Sequence, residues 1–495
     1  MAAQSHPTAE EPALSARSRP TGETNRPHQT WTVVLASLGV FMTALDTLVV
    51  TTALPVLRVS LHASLSSLEW TVNAYNLAFA CMLLTGAALG DRFGRRRMFT
   101  IGVGVFTAAS AASALSPSIG ALIAARALQG TGAAIVTPLT LTLISEAFPV
   151  EKRGVAIGLW GGITGLAVAA GPVVGGAIAG GINWHWIFWL NVPIGLALMP
   201  LAARRLTESL GPRPQLDLIG LGLAGAGALG ITWALVRGST VGWGSVEITG
   251  SLVAGVVLIG TFLEWERRAR TPMLPLALFR DRTFASANAV SFFMYAALFG
   301  TLFLMAQFLQ IALGHSPLGA GIRLLPWTGA PMLVAPIAGA LSERYGTRPF
   351  MAGGLALQTI GLGWIALIAK PGMGYTELGF ALTVAGIGIS MCFPTVVTAV
   401  MGSVPLRDAG IASGTNAMLR ELGGVLGIAV LASVFARPGV YHSPQVFIDG
   451  FTSALWVGVG LSGVGVVAAL LAPSRRRAAP VSVARALVVE EPSGA

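Results

Sequence analysis

Chemistry inside apolar surroundings needs ionisable side chains, and this sequence places very few there. Asp46 stands in the apolar run 31–54, Arg126 in 119–145, and Arg420 and Glu421 in 410–435. Isolated charge in hydrocarbon is costly, so an ionisable residue in such a run is a functional candidate by default. A carboxyl can take up and release a proton as its surroundings change, because burial favours the neutral acid and an approaching guanidinium favours the anion. Asp46 and Arg126 each lie about eight residues from the same-side end of their runs, which places both roughly 12 Å below that surface. Depth permits a contact between them without requiring one. Arg420 and Glu421 are sequence neighbours, so on a helix they point about 100° apart and are expected to face different partners. The competing reading for either set is a static buried ion pair that fixes packing. Asn73, Tyr75 and Asn76, with Gln129, Gln307 and Gln310, supply uncharged groups that can hydrogen-bond a substrate or a neighbouring helix.

The elements that position these residues follow from composition. Of 495 residues, 54% are hydrophobic and only 11% charged, well below the roughly 25% charge of a soluble chain. A water-facing surface cannot be built from this. Many of the 62 glycines sit inside apolar runs, where small residues let membrane helices approach closely. Cys81 and Cys392 show no metal-ligand or disulfide spacing. The net charge of +10 comes from arginines in short links between apolar runs, which is not the folded basic face that nucleic acid requires. Neither a metal nor a resident cofactor is expected.

Fourteen runs are long enough to span a bilayer, each near the roughly 20 residues required. They group as a six-helix half over 31–203, two helices over 216–264 and a second six-helix half over 284–472. Residues 1–30 and 473–495 read as disordered tails. An even count puts both tails on one side. With that side cytoplasmic, 24 of the 31 basic residues fall there and only Arg58, Arg237, Lys370 and Arg437 on the other face. Such an asymmetry sets orientation. The expected location is the inner or plasma membrane, multi-pass, with both termini cytoplasmic.

The link after the second run, Leu89-Gly90-Asp91-Arg92-Phe93-Gly94-Arg95-Arg96, returns after the tenth as Leu341-Ser342-Glu343-Arg344-Tyr345-Gly346-Thr347-Arg348. Copies of this kind mark transporter halves related by an axis along the membrane normal. They stand eight runs apart instead of six, which makes the seventh and eighth an insertion. With this loop, Leu122 to Ala134 (LIAARALQGTGAA), Gly158 through Gly171-Pro172-Val173-Val174-Gly175-Gly176, Leu45-Asp46 to Ala53-Leu54-Pro55, and Trp184 to Gly195, the chain resembles the major facilitator superfamily. The resemblance is to its fourteen-span drug:proton antiporter branch, with Ala87, Ala167, Leu48 and Thr51 departing from the usual motifs.

That resemblance implies an all-α integral membrane protein with the major facilitator fold and fourteen transmembrane helices. It implies efflux of a lipophilic drug or antibiotic by alternating access, with protons as the coupling ion and lipid as the surrounding partner. It places helices one and four side by side, so that Asp46 meets Arg126. It makes Asp91, Arg92, Gly94 and Arg95, with Glu343 and Arg344, a gating loop that latches the halves together in the outward-facing state and breaks on switching. It makes Gly158, Gly171, Pro172, Gly175 and Gly176 of the fifth helix a tight seal of the kind exporters carry, where packing alone is the plainer account. A membrane-embedded enzyme would need clustered catalytic groups such as HExxH or GxSxG, and none is present; nor is a Walker phosphate loop. A proton-coupled importer on the same fold is the nearer alternative.

Overall fold

The computed structural model describes residues 26–211, 216–405, 408–436, 439–441 and 443–473. The expected tails, apart from 26–30 and residue 473, lie outside the described residues, as do Arg213, Arg407 and Arg437. Residues from Arg26 already belong to the first helix, so the N-terminal tail ends earlier than expected.

Lipid offers no hydrogen-bond partner to a backbone, so long apolar segments satisfy their amides internally as helices. Among the described residues fourteen rods result. They are α1 Arg26–Ser60, α2 Leu65–Phe93, α3 Arg95–Ala114, α4 Ile119–Ala147, α5 Val150–Gly181, α6 His185–Arg205 and α7 Leu218–Val241. The remainder are α8 Val246–Arg268, α9 Arg282–Ala312, α10 Pro317–Tyr345, α11 Thr347–Ile368, α12 Tyr375–Gly402, α13 Ala409–Phe435 and α14 Pro444–Leu470. Thirteen are long and apolar enough to cross a membrane. The exception is α3, whose three leading arginines and many Ser, Thr and Ala residues dilute its apolarity. Among the described residues no strand occurs.

The polar links supply the helix caps. Ser64, Ser118, Asp217, Ser245, Asp281 and Ser316 each accept a hydrogen bond from a first-turn N–H, satisfying one of the orphan donors there. The repeated loop has a backbone reason as well. Gly94 and Gly346 both end one helix and start the next at φ of 104° and 87°, a region that side chains other than glycine enter only with strain. Three rods are irregular. A break after Trp189 divides α6, α9 ends in a π turn at Phe308–Ala312, and α10 is assembled from Pro317–Arg323, Leu325–Thr328 and Ala330–Tyr345.

The two halves pack alike. In the first, α2 lies on α4, α3 on α4, α1 on α5 and α3 on α6; eight helices later α10 lies on α12, α11 on α12, α9 on α13 and α11 on α14. The halves meet through α2 with α13 and α5 with α10, which the same shift also interconverts. The extra pair α7–α8 packs on itself, with α7 against α2 and α13. This is a two-fold arrangement with an inserted hairpin at one seam.

The two ends of the bundle differ. At the end poor in arginine the halves are closed. Gly176 lies against Pro317 and Leu318, and Gly321 against Pro172 and Val173. Gln310 Nε2 donates to Thr52 O at 2.8 Å. The Arg58 guanidinium sits 3.4 Å over the Tyr441 ring, whose hydroxyl donates to Gln307 Oε1 at 2.8 Å. Burial raises the Tyr441 phenol above its ordinary proton affinity, which keeps that O–H a donor. At the arginine-rich end α5 and α10 diverge. Their contacts concentrate on Pro317–Arg323, while Leu159 of α5 and Leu333, Ile337 and Leu341 of α10 are exposed.

Candidate functional site

Asp46 and Arg126 meet at the centre of the first half. Asp46 is about four turns from the end of α1, deeper than expected, because the helix runs through Pro55 to Ser60. Arg126 is about two turns into α4. They share a level because the end of α1 extends beyond that of α4, to the seam where Arg58 covers Tyr441.

The pair is completed by groups from five other residues. Arg126 Nη1 donates to Asp46 Oδ2 and to Gln129 Oε1 at 2.8 Å. Gln129 Nε2 and Asn191 Nδ2 donate to Asp46 Oδ1 at 2.8 and 2.7 Å, and Gln129 Nε2 also reaches Ser110 Oγ at 2.9 Å. Arg126 Nε donates to Thr71 O at 3.2 Å, with the guanidinium 4.3 Å from the Tyr75 ring centre. Asp46 and Arg126 are each 1% exposed. Helices α1, α2, α3, α4 and α6 all contribute, so a change in the charge of Asp46 acts on most of the half at once. Buried charges are tolerable when paired and hydrogen-bonded in this way. Three N–H donors occupy most of the lone-pair sites of the Asp46 carboxylate.

The second half has a looser counterpart. Arg420 Nη2 and Glu421 Oε1 are 3.4 Å apart, so these neighbours pair with each other instead of with separate partners. Side-chain length overcomes the divergence of the Cβ directions. The Arg420 guanidinium lies 4.9 Å from the Tyr295 ring and 5.5 Å from that of Phe393, and its Nε has no partner. Nearby, Asn416 Nδ2 fixes α13 to α9 through Asn288 Oδ1 and Ser291 Oγ.

Comparison with known proteins decides the lineage. Residues 36–428 match the Major Facilitator Superfamily. The chain belongs to that superfamily. A tetracenomycin C resistance and export protein of Streptomyces glaucescens is 36% identical over 433 residues, 87% of this chain and 80% of that protein. The multidrug resistance protein Stp of Mycobacterium tuberculosis is 37% identical over 412 residues, 82% of this chain and 76% of its own. A methylenomycin A resistance protein of Bacillus subtilis is 33% identical over 417 residues, 84% and 89% of the two chains. Among solved structures, a peptide transporter POT in complex with sulfate superposes with a TM-score of 0.65 at 17% identity, over 90% of this chain and 96% of that one. That last likeness is one of fold.

Other expected sites of this major facilitator transporter fall as follows. The loop charges close within their own half: Arg95 bonds Asp91 at 2.7 Å and also pairs with Glu146. The segment after α6 docks there, with Arg95 N donating to Ser209 O and Gly211 N to Asp91 O. Glu208 accepts from the backbone of Arg96 and Arg97 at the start of α3, where a carboxylate complements the helix terminus. Among the described residues no bond runs from Asp91 to the second half; the expected latch belongs to the outward-facing state. The α2–α13 contact at Leu84 and Gly414 is about two turns short of Asp91. Arg92, Glu343 and Arg344 are exposed, and Arg344 lies over its neighbour Tyr345.

The glycine stripe of α5 splits in two. Gly171 and Gly175 seat α1, and Gly176 seats α10, beside Pro172. Gly158, Gly162 and Gly165 have no atom within 4 Å of where a side chain would begin, so close packing occupies only one end of the stripe. Gln307 and Gln310 serve the closed seam. Asn73 and Asn76 are buried with no partner on either side-chain atom.

Sequence reasoning missed Asn191, Ser110 and Glu69. Asn191 was legible as the one amide in the apolar stretch that opens α6. Ser110, within α3, gives no signal apart from its contact.

Proposed function

We propose that this chain is an exporter of lipophilic small molecules, driven by inward proton flow and working by alternating access. In this reading the chain crosses an inner or plasma membrane fourteen times, and the basic asymmetry of its links supports a cytoplasmic arginine-rich end and cytoplasmic termini. The observation that carries the reading is the Asp46 carboxylate, sealed from solvent and held by Arg126, Gln129 and Asn191. The relatives named for resistance and export support the outward direction.

In this scheme the described conformation is closed toward the outside and open toward the cytoplasm, with Asp46 ionised. Substrate enters between α5 and α10 from the cytoplasmic side. Closure there brings the charges near Asp91 toward the second half, where they latch, and separates Arg58 from Tyr441 and Gln310 from Thr52. Opening on the outer side admits a proton to Asp46, which then releases Arg126 and loosens the hold of α4 and α6 on α1. Return to the cytoplasm-open form restores the donors and expels the proton inward. Uniform exchange without this linkage would dissipate the gradient, so substrate and proton must favour different states. The packed end of the α5 glycine stripe serves as the outer seal in this scheme.

Inverted membrane vesicles test direction. With an inside-acid gradient, export predicts substrate accumulation in the lumen that stops when an ionophore collapses the gradient. Accumulation by right-side-out cells instead, with none in inverted vesicles, would establish an importer.

A further inference from the structure

One face of α2 is polar, buried and unpaired. Glu69, Asn73 and Asn76 follow the spacing i, i+4, i+7, which brings them onto one side of a helix over roughly 10 Å. They are 2%, 0% and 1% exposed. Glu69 Oε2 and both side-chain atoms of Asn73 and of Asn76 have no hydrogen-bond partner, where buried polar atoms in folded proteins are ordinarily satisfied. No cation stands within ion-pair distance of Glu69 among the described residues.

The face is turned toward the meeting of the two halves. Leu77 and Leu84, on neighbouring positions of the same side, pack on α13 at Val425, Leu422 and Gly414. On α13, next to Gly414, Thr415 Oγ1 is likewise buried without a partner. The opposite side of α2 gives Thr71 O and the Tyr75 ring to Arg126. One rod therefore touches Arg126 on one side and carries the unpaired stripe on the other.

We propose that Glu69, Asn73 and Asn76 form a hydrogen-bonding subsite for an oxygen-rich substrate that presents hydroxyl and carbonyl groups together. The proposal deepens the exporter reading and rests on it. The balance of unpaired atoms sets the ligand class. Two carboxamide NH2 groups need acceptors, while three oxygens need donors. An ammonium brings donors only and leaves both NH2 groups empty. Hydroxyls beside carbonyls meet both needs. A site built to hydrogen-bond its ligand discriminates strongly against one that lacks those groups, because its own polar atoms are then left unpaired.

The test is binding to the purified full chain in detergent, using two fluorescence- or isotope-detected probes. Daunomycinone carries hydroxyl and carbonyl groups; tetraphenylphosphonium is a lipophilic cation with neither donor nor acceptor. The double variant Asn73→Leu, Asn76→Leu is expected to weaken daunomycinone binding at least about tenfold, as loss of several hydrogen bonds requires, and to leave tetraphenylphosphonium binding unchanged. Should that variant fail to run as a single species in size exclusion, Asn73→Ala with Asn76→Ala and, separately, Glu69→Gln give the same comparison. Unaltered daunomycinone binding, equal weakening of both probes, or no daunomycinone binding by the unsubstituted chain would overturn the subsite. Because no gradient is present, a chain that binds daunomycinone selectively yet moves nothing in vesicles keeps the subsite and loses the exporter reading.

Discussion

Asp46 and Arg126 come from different helices and share their interaction with Gln129, Asn191, Thr71 and Tyr75. Arg420 and Glu421 are adjacent in sequence and share a single 3.4 Å contact between two aromatic rings. The first pair is sealed from solvent with nearly every polar atom engaged, whereas the Arg420 side chain of the second stays 19% exposed. The difference teaches where a charge change can do mechanical work. In the proposed exchange, protonation of Asp46 unfastens several helices together, whereas neutralising Glu421 frees one side chain on α13. A tight network acts as a switch, and a loose pair remains able to choose a new partner.

Four substitutions sharpen or break that comparison. The largest effect is expected from Asp46→Asn, which removes the titrating group and its charge-assisted bonds. Gradient-driven accumulation should fall at least about 100-fold, as loss of interactions worth about 3 kcal/mol implies, with normal amounts of protein in the membrane. Arg126→Lys keeps the charge but cannot reach Asp46, Gln129 and Thr71 at once with a compact ammonium. A loss of about tenfold or more in transport rate is expected, and a wild-type rate would mean that the guanidinium network is incidental.

Asn191→Leu removes one donor to Asp46 Oδ1 and should lower the rate about three- to tenfold, the scale of one net hydrogen bond. Glu421→Gln should have the smallest effect, about threefold or less on gradient-driven rate, because the pair it breaks is long and has few dependants. If Glu421→Gln were as damaging as Asp46→Asn, the contrast between the two pairs would be wrong and the second half would share the coupling.

Much of the architecture was readable from the chain because the membrane imposes it. Apolar runs of spanning length can fold in few other ways than as helices, and the Asp91 and Glu343 loops give away the repeat through residues that cap and restart helices at Gly94 and Gly346. The meeting of Asp46 with Arg126 followed from family resemblance, since depth alone could not choose the neighbour. What stayed hidden depends on contacts between distant segments. Asn191 reaches Asp46 over 145 positions of sequence, and Glu69 looks like an ordinary surface acid until burial is known. The two fates of the α5 glycines were equally out of reach, because Gly158 and Gly176 differ only in whether another helix lies opposite.

The most direct measurement is proton movement itself. Purified chain is placed in liposomes containing a pH-sensitive dye, with no gradient imposed, and substrate is added on one side. Coupled exchange predicts a change of lumenal pH opposite in direction to substrate movement, present in the unsubstituted protein and absent in Asp46→Asn, although that variant still exchanges labelled for unlabelled substrate. Substrate movement by the unsubstituted protein with no accompanying change of pH would contradict a proton-carrying role for Asp46.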